Sequence, residues 1–410
     1  VGILGIVPQL GEWSFLRLRS VRPPLSKATT GPEARALFAA SFAYNLGAAM
    51  AGLAAILLAI RLEATPLELG LIGMIWPAFY TVACLFSGPL SDRVSRRLLC
   101  SIGCAIACSA YLLMMEASSP RQIMLFGFPV GIAMSLFWPP LEAWLAELSS
   151  PADLRRNFGV FNIAWSAGAA PGPFLAGVAI NVGVPFAFVS SVSFMAIAGV
   201  IVMTRRPDVR RDANTRRPLT ADEDSSRRYL HLAWVANFGT YFTIGIIRSL
   251  FPKLGGELGM SSPSIGSLLS TITFTQVLMF ALLRRTSIWH YRIAPLLVSQ
   301  FILLAGSLLI YTGTRFEGFL LPMVMAGGCA GISYFSSIYY SINTPVRLGA
   351  RSGLHESLIG LGVVAGPLTG GIVAQRWGLR SPYLLSAAVT LLGIGCLACV
   401  GIALRTGRKK

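Results

Sequence analysis

Few side chains in the apolar parts of this sequence could do chemistry. Glu142 lies within an apolar run near its end, and Arg248 lies inside another. A charge taken into such surroundings needs a partner, a water-filled cavity or a task. At 1.5 Å per residue Glu142 falls about 30 Å along its run. It therefore reads as an interfacial ion pair or as a proton-coupling carboxylate at the mouth of a cavity. Arg248 is placed near the outer end of its run, where it can snorkel or hold an anionic solute. Enzymatic constellations are missing. No Asp-x-x-x-Asp or His-Glu-x-x-His falls in an apolar run, no two histidines have metal spacing, and no Gly-x-x-x-x-Gly-Lys-Ser/Thr could cradle a nucleotide phosphate. The seven cysteines form no disulfide framework. Cys100, Cys104 and Cys108 share one helix face, and Cys396 and Cys399 sit in the last apolar run, so all read as small apolar thiols. The chain is read as no enzyme, with no cofactor and no metal.

Composition explains why charge is so scarce. Of 410 residues, 54% are hydrophobic and 12% charged, where a soluble domain carries about 25% charged residues. Twelve apolar runs are each long enough to cross a bilayer, which takes about 20 residues. The net charge of +17 is distributed by topology. With the N-terminus inside, 27 of the 34 Lys and Arg fall on one side of the twelve spans, which puts both termini in the cytoplasm. A nucleic-acid partner would need a contiguous basic face on a soluble domain, and none is expected.

The organisation follows. Residues 1–34 read as a loose cytoplasmic tail, for which an over-long translation start would also account, since the first methionine is Met50 inside span 1. Residues 35–204 hold six spans. Residues 205–228, with eight arginines and five carboxylates, cannot bury a core and form a cytoplasmic linker. Residues 229–404 hold six more spans, and 405–410 are a basic tail. The halves repeat. Gly168-Ala-Ala-Pro-Gly172-Pro173-Phe-Leu-Ala-Gly177 in span 5 matches Gly362-Val-Val-Ala-Gly366-Pro367-Leu-Thr-Gly370-Gly371 in span 11. Gly131 in span 4 matches Gly331 in span 10, and Asn45-Leu-Gly47 in span 1 matches Asn237-Phe-Gly239 in span 7. Three matches in one order indicate a duplicated six-helix unit. Glycines four apart admit a neighbour's backbone, and proline permits a bend inside protein.

Between spans 2 and 3 lies Gly88-Pro-Leu-Ser-Asp92-Arg93-Val-Ser-Arg96-Arg97. This short loop resembles the signature loop between helices two and three of the major facilitator superfamily, with Ser95 where that family usually has Gly. The resemblance covers about residues 35–405 and names no subfamily. It implies an all-α membrane fold of twelve helices in two pseudo-symmetric bundles. It also implies an inner latch: Asp92 would face the start of span 11 near Glu356, and Glu142 or Glu147 would pair with Arg93, Arg96 or Arg97. The span 5 stretch resembles the family's exporter motif, with Ala176 in place of one Gly, and the span 11 copy fits that pattern in full. By the same resemblance spans 1, 4, 7 and 10 line the cavity. That makes Tyr44, Asn45, Trp138, Asn237, Tyr241, Tyr334 and Tyr340 substrate candidates, beside Glu142 and Arg248.

The function read from these features is secondary active transport of a small solute by alternating access. Export of small amphipathic or drug-like compounds leads uptake of a sugar, nucleoside or organic acid. A transporter-like scaffold or sensor is the alternative of another class. Coupling to a proton or a sodium ion is left open: no Arg stands in mid span 4, and no carboxylate deep in span 1. The Arg excess and short loops suggest a multi-pass protein of a bacterial inner membrane, working as a monomer in the lipid bilayer.

Overall fold

The computed structural model describes the backbone of residues 31–150, 153–205, 223–342 and 348–406. It describes their side chains except those of 155, 223–227, 341–342, 348–359 and 401–406. The expected tail at 1–30, most of the linker and residues 407–410 lie outside the described residues.

Among the described residues thirteen α-helices follow one another: α1 Pro32–Arg61, α2 Pro66–Ser91, α3 Arg96–Met115, α4 Pro120–Leu148, α5 Leu154–Ala169, α6 Gly172–Val182, α7 Val184–Met203, α8 Glu223–Glu257, α9 Ser262–Leu283, α10 Ala294–Thr312, α11 Phe316–Ile342, α12 Leu348–Trp377 and α13 Ser381–Thr406. Helices α5 and α6 are the two parts of span 5, interrupted at Ala170 and Pro171. Proline cannot donate to the helical ladder and crowds the preceding turn, and Pro171 and Pro173 follow each other closely here. The second motif copy carries a single proline, Pro367, and α12 runs through it unbroken. Among the described residues eleven segments are long and apolar enough to cross a membrane, and α12, with 30 residues, completes the twelve spans.

Local chemistry fixes where helices begin. Thr65 and Glu68 form a reciprocal capping box, with Thr65 N–H donating to the Glu68 carboxylate at 2.9 Å and Glu68 N–H to Thr65 Oγ1 at 3.2 Å. Ser119 and Ser261 cap α4 and α9 by accepting from the Gln122 and Ser264 N–H groups, and proline occupies the first turn of all three helices. Proline's missing N–H costs nothing there. All three starts lie at one end of the bundle. The opposite end carries the loops that hold most arginines and is called the basic end here.

Helices α1–α7 form one bundle and α8–α13 the other. Within them α1 packs against α5, α6 and α7, and α8 against α11, α12 and α13. The halves meet along two seams, α2 against α12 and α5–α6 against α9. Large apolar side chains on outward faces, among them Val182, Val200, Met203 and Leu392, are exposed. A bilayer solvates such groups, and the helical form satisfies most backbone polar groups within the span itself.

Glycines make the seams narrow. A methyl group built on Gly371 would stand 2.9 Å from the Pro66 carbonyl oxygen and 3.0 Å from Gly70 Cα. One built on Gly177 would stand 3.0 Å from Pro263 Cα, and one on Gly266 3.0 Å from Phe174 Cα. Both contacts lie at the end away from the arginines. Lys253 of α8 adds a bridge there, donating to the Ala64 carbonyl at 2.6 Å.

Candidate functional site

The two motif copies take equivalent places. Gly168 and Gly172 press on the α1 backbone at Phe42 and Met50, and Gly177 crosses to the other half. Gly362 and Gly366 press on α8 at Phe238 and Phe242, Gly370 meets Ile246, and Gly371 crosses to α2. The earlier glycines of each copy thus hold the inner helix of their own half, and the last one closes the seam. The Pro173 carbonyl lies against Gly266, and the Pro367 ring lies against Gly73 and Gly245. Gly131 and Gly331, the span 4 and span 10 pair, pack on α2 and α9.

At the basic end, Arg96 forms an ion pair with Glu147 and stands 3.8 Å from Asp92. The Arg96 side chain is 9% exposed and that of Glu147 19%, whereas Asp92 is 75% exposed. Arg97 donates to the Arg205 carbonyl at 3.1 Å. A methyl group built on Gly88 would meet no atom within 4 Å, so no neighbouring helix presses on it in this conformation. The Glu356 side chain lies outside the described residues. Glu142 is half-buried on α4, two turns before its end. The matching loop of the second half, after α9, is held by aromatic groups. Buried Trp289 donates to the Leu283 and Thr286 carbonyls at 3.1 and 3.0 Å, and Tyr340 Oη accepts from Tyr291 N–H at 2.9 Å.

Tyr340 is therefore an anchor for that loop and 1% exposed, and the structure does not bring it to the central space between the halves. Tyr44 is likewise fully buried, stacked on Phe137 with ring centroids 3.9 Å apart. Both are large amphipathic rings that fill the bundle interior better than they line a cavity. Four other candidates do share one level. Asn45, Trp138, Tyr241 and Tyr334 are half-buried, each lying about 24–27 Å from the glycine-sealed end by helical rise. Trp165, absent from the expectations, joins them. Its carbonyl accepts from Asn45 Nδ2 at 2.9 Å, and its ring lies 6.5 Å from Trp138 and 5.9 Å from Tyr334. The Trp165–Tyr334 contact crosses from one half to the other. Tyr241 Oη accepts from Gln276 Nε2 at 3.3 Å. Gln276 and Thr273, one turn apart in an apolar span, are a signal the sequence carries, although not the direction in which they point.

The two asparagines of the repeat have diverged. Asn45 has its partner, but Asn237 is fully buried with neither amide atom hydrogen-bonded. Near it Gln300, also fully buried, donates to the Ala236 carbonyl and Thr240 Oγ1 at 3.4 and 3.3 Å.

Arg248 departs most from its expected place. Helix α8 does not stop near Phe251 but continues through Pro252 to Glu257. Arg248 thus lies about 13 Å below the helix end, deep in the bundle and not at an interface. Every residue from Phe242 to Pro252 is buried except Arg248, which is exposed. Helix α8 is enclosed by helices of both halves, so that side chain opens into the central space and not towards lipid. Its guanidinium lies 3.3 Å from Thr273 Oγ1.

Two six-helix halves with sealed seams at one end and an aromatic, water-accessible centre define a polytopic membrane transporter fold. The chain belongs to the major facilitator superfamily, whose family model matches residues 37–231 and 233–409. It is similar to an uncharacterised MFS-type transporter of Methanocaldococcus jannaschii, 22% identical over 345 residues, covering 81% of this chain and 88% of that one. It is also similar to multidrug resistance protein 2 of Bacillus subtilis, 20% identical over 332 residues, covering 76% and 80%. Among solved structures it shares the fold of a bacterial homologue of the human lysosomal transporter Spinster, in an inward-facing and occupied conformation. That likeness has a TM-score of 0.72 at 13% identity and covers 91% of this chain and 98% of that chain. The protein is a multi-pass membrane transporter that takes a small-molecule substrate.

Proposed function

We propose that this transporter exports small amphipathic compounds from a bacterial cytoplasm by alternating access. The observation that carries the reading is the asymmetry of the seams. Backbone meets backbone at Gly70–Gly371 and Gly177–Pro263, while Gly88 borders open space and Asp92 is exposed. With the arginine-rich end in the cytoplasm, as the positive-inside bias directs, this conformation faces inward. In the outward-facing conformation Asp92 would approach the start of α12 and latch the basic end, with the Arg96–Glu147 pair as its fixed base. The interrupted span 5 supplies a hinge beside one seam. An aromatic centre suits an amphipathic solute, and the similarity to multidrug resistance protein 2 supports the outward direction.

The test is an untargeted small-molecule profile, inside and outside cells making the protein, compared with cells making a folded Asp92→Asn variant. A compound depleted inside and enriched outside only with the unaltered protein is expected. Accumulation inside would overturn export. Equal profiles from both proteins would overturn the latch role of Asp92.

A further inference from the structure

We infer that the substrate is an amphipathic anion, and that Arg248 with Thr273 holds its acidic group while the Tyr241–Tyr334–Trp165 layer holds its apolar body. This deepens the export reading and rests on it only for the word substrate. The site can be tested without flux.

Three observations point the same way. An arginine guanidinium stays charged in a protein, so burial cannot neutralise Arg248, and a charge at this depth is costly without compensation. Among the described residues its hydrogen bond is to a neutral hydroxyl, Thr273 Oγ1 at 3.3 Å. Among the described residues no carboxylate lies at its level. The described acidic residues stand at helix ends or outside the helices, and the innermost, Glu142, is about 33 Å from the sealed end against about 13 Å for Arg248. The guanidinium is exposed to the central space, so its fork of donors is free to meet a planar or tetrahedral oxyanion from inside the bundle. Of the other cations near that end, Lys253 and Arg61 are tied to the Ala64 and Ile180 carbonyls. They add positive potential without blocking the space.

Geometry sets the rest of the ligand. Tyr241 lies two turns from Arg248 on the same face of α8, about 10 Å away along the helix. Its ring is 6.2 Å from Tyr334, which is 5.9 Å from Trp165. A solute with an acid at one end and a flat apolar body reaching about 10 Å from it would contact both features. Thr273 and Gln276 lie on one face of α9; Thr273 Oγ1 accepts from the Arg248 guanidinium and Gln276 Nε2 donates to the Tyr241 hydroxyl.

The probe is naphthalene-2-sulfonate, with 2-naphthamide as the neutral and 2-naphthylmethylammonium as the cationic analogue of similar shape. Equilibrium binding is measured with the full-length protein in nanodiscs of uncharged lipid. The unaltered protein is expected to bind the sulfonate at least tenfold more tightly than the amide and to reject the ammonium. Arg248→Gln should lose about 10- to 100-fold of sulfonate affinity and keep amide affinity, which also shows that the variant is folded. Arg248→Lys should fall between them, having the charge but not the fork. Unchanged sulfonate binding in Arg248→Gln would overturn the inference. So would preference for the ammonium, or no saturable sulfonate binding to the unaltered protein at millimolar concentration. Sulfonate binding that depends on Arg248, with no exported compound found in cells, would keep the site and remove the export reading. An exported compound that proves cationic would do the reverse.

Discussion

Alanine at position 371 should open the sealed end of this protein. The methyl group would sit 2.9 Å from the Pro66 carbonyl oxygen, 3.0 Å from Gly70 Cα and 3.3 Å from Leu67 Cα. All three are backbone atoms, so no side chain can rotate away. The halves must separate locally, at the cost of about 1–3 kcal/mol that overpacking carries. In a conformation where this seam is parted the methyl group meets no such atoms. Alanine also favours the helix over glycine by about 1 kcal/mol, but α12 is expected to remain helical in both conformations, so that gain cancels in the equilibrium between them. The steric term alone remains, and it shifts the populations towards the parted seam by about 5- to 150-fold. Spin labels at Glu63 and Glu257, both exposed at the sealed end on opposite halves, report the opening as a distance distribution once the native cysteines are replaced. A new, longer component is expected for Gly371→Ala. Gly395→Ala is the control, since its methyl group meets no atom within 4 Å, and it should leave the distribution as it was. An unchanged distribution in a folded Gly371→Ala protein would refute the role of this contact in holding the end closed.

Two further substitutions separate packing from function. Glu147→Gln leaves Arg96 nearly buried opposite a neutral group, with Asp92 at 3.8 Å as weak compensation. It should lower stability by about 2–4 kcal/mol, somewhat less than a fully buried pair would, visible as an earlier thermal transition. The pair Arg96→Met with Glu147→Leu should recover most of that loss, and failure to recover would show that the charges themselves are needed. For the repeated asparagines, Asn45→Leu deletes the bond to the Trp165 carbonyl and should cost about 1 kcal/mol. Asn237→Leu deletes no protein hydrogen bond and should leave the thermal midpoint unchanged or higher. A large loss in Asn237→Leu would mean that its amide is satisfied by groups other than those seen here.

Reading from sequence worked where one dimension carries the physics. A bilayer fixes how long an apolar run must be, so the number of spans was legible. The duplicated glycine–proline motifs announced both the repeat and the close packing, and the Arg96–Glu147 pair is one of several pairings that the family resemblance left open. The side chains at the centre were less legible. Tyr44 and Tyr340 were as plausible as Tyr241 and Tyr334, because a sequence gives the residue type and not the face it points to. Arg248 lies farther from its helix end than expected, because α8 runs on through Pro252 to Glu257.

The sequence by itself determined a twelve-span chain, two related halves, the side on which the arginines gather, and the positions where glycine lets backbones touch. These follow from hydrophobic length, charge bias and the absence of a side chain, which are properties of residues in order. Only the tertiary structure decided which end is sealed, that span 5 breaks while span 11 does not, and that Asn45 found a partner while Asn237 did not. It also decided that one arginine faces an inner space where, among the described residues, no carboxylate stands at its level. Those outcomes depend on which helix faces meet across the two halves, and contact between residues hundreds of positions apart is set by packing and not by local pattern.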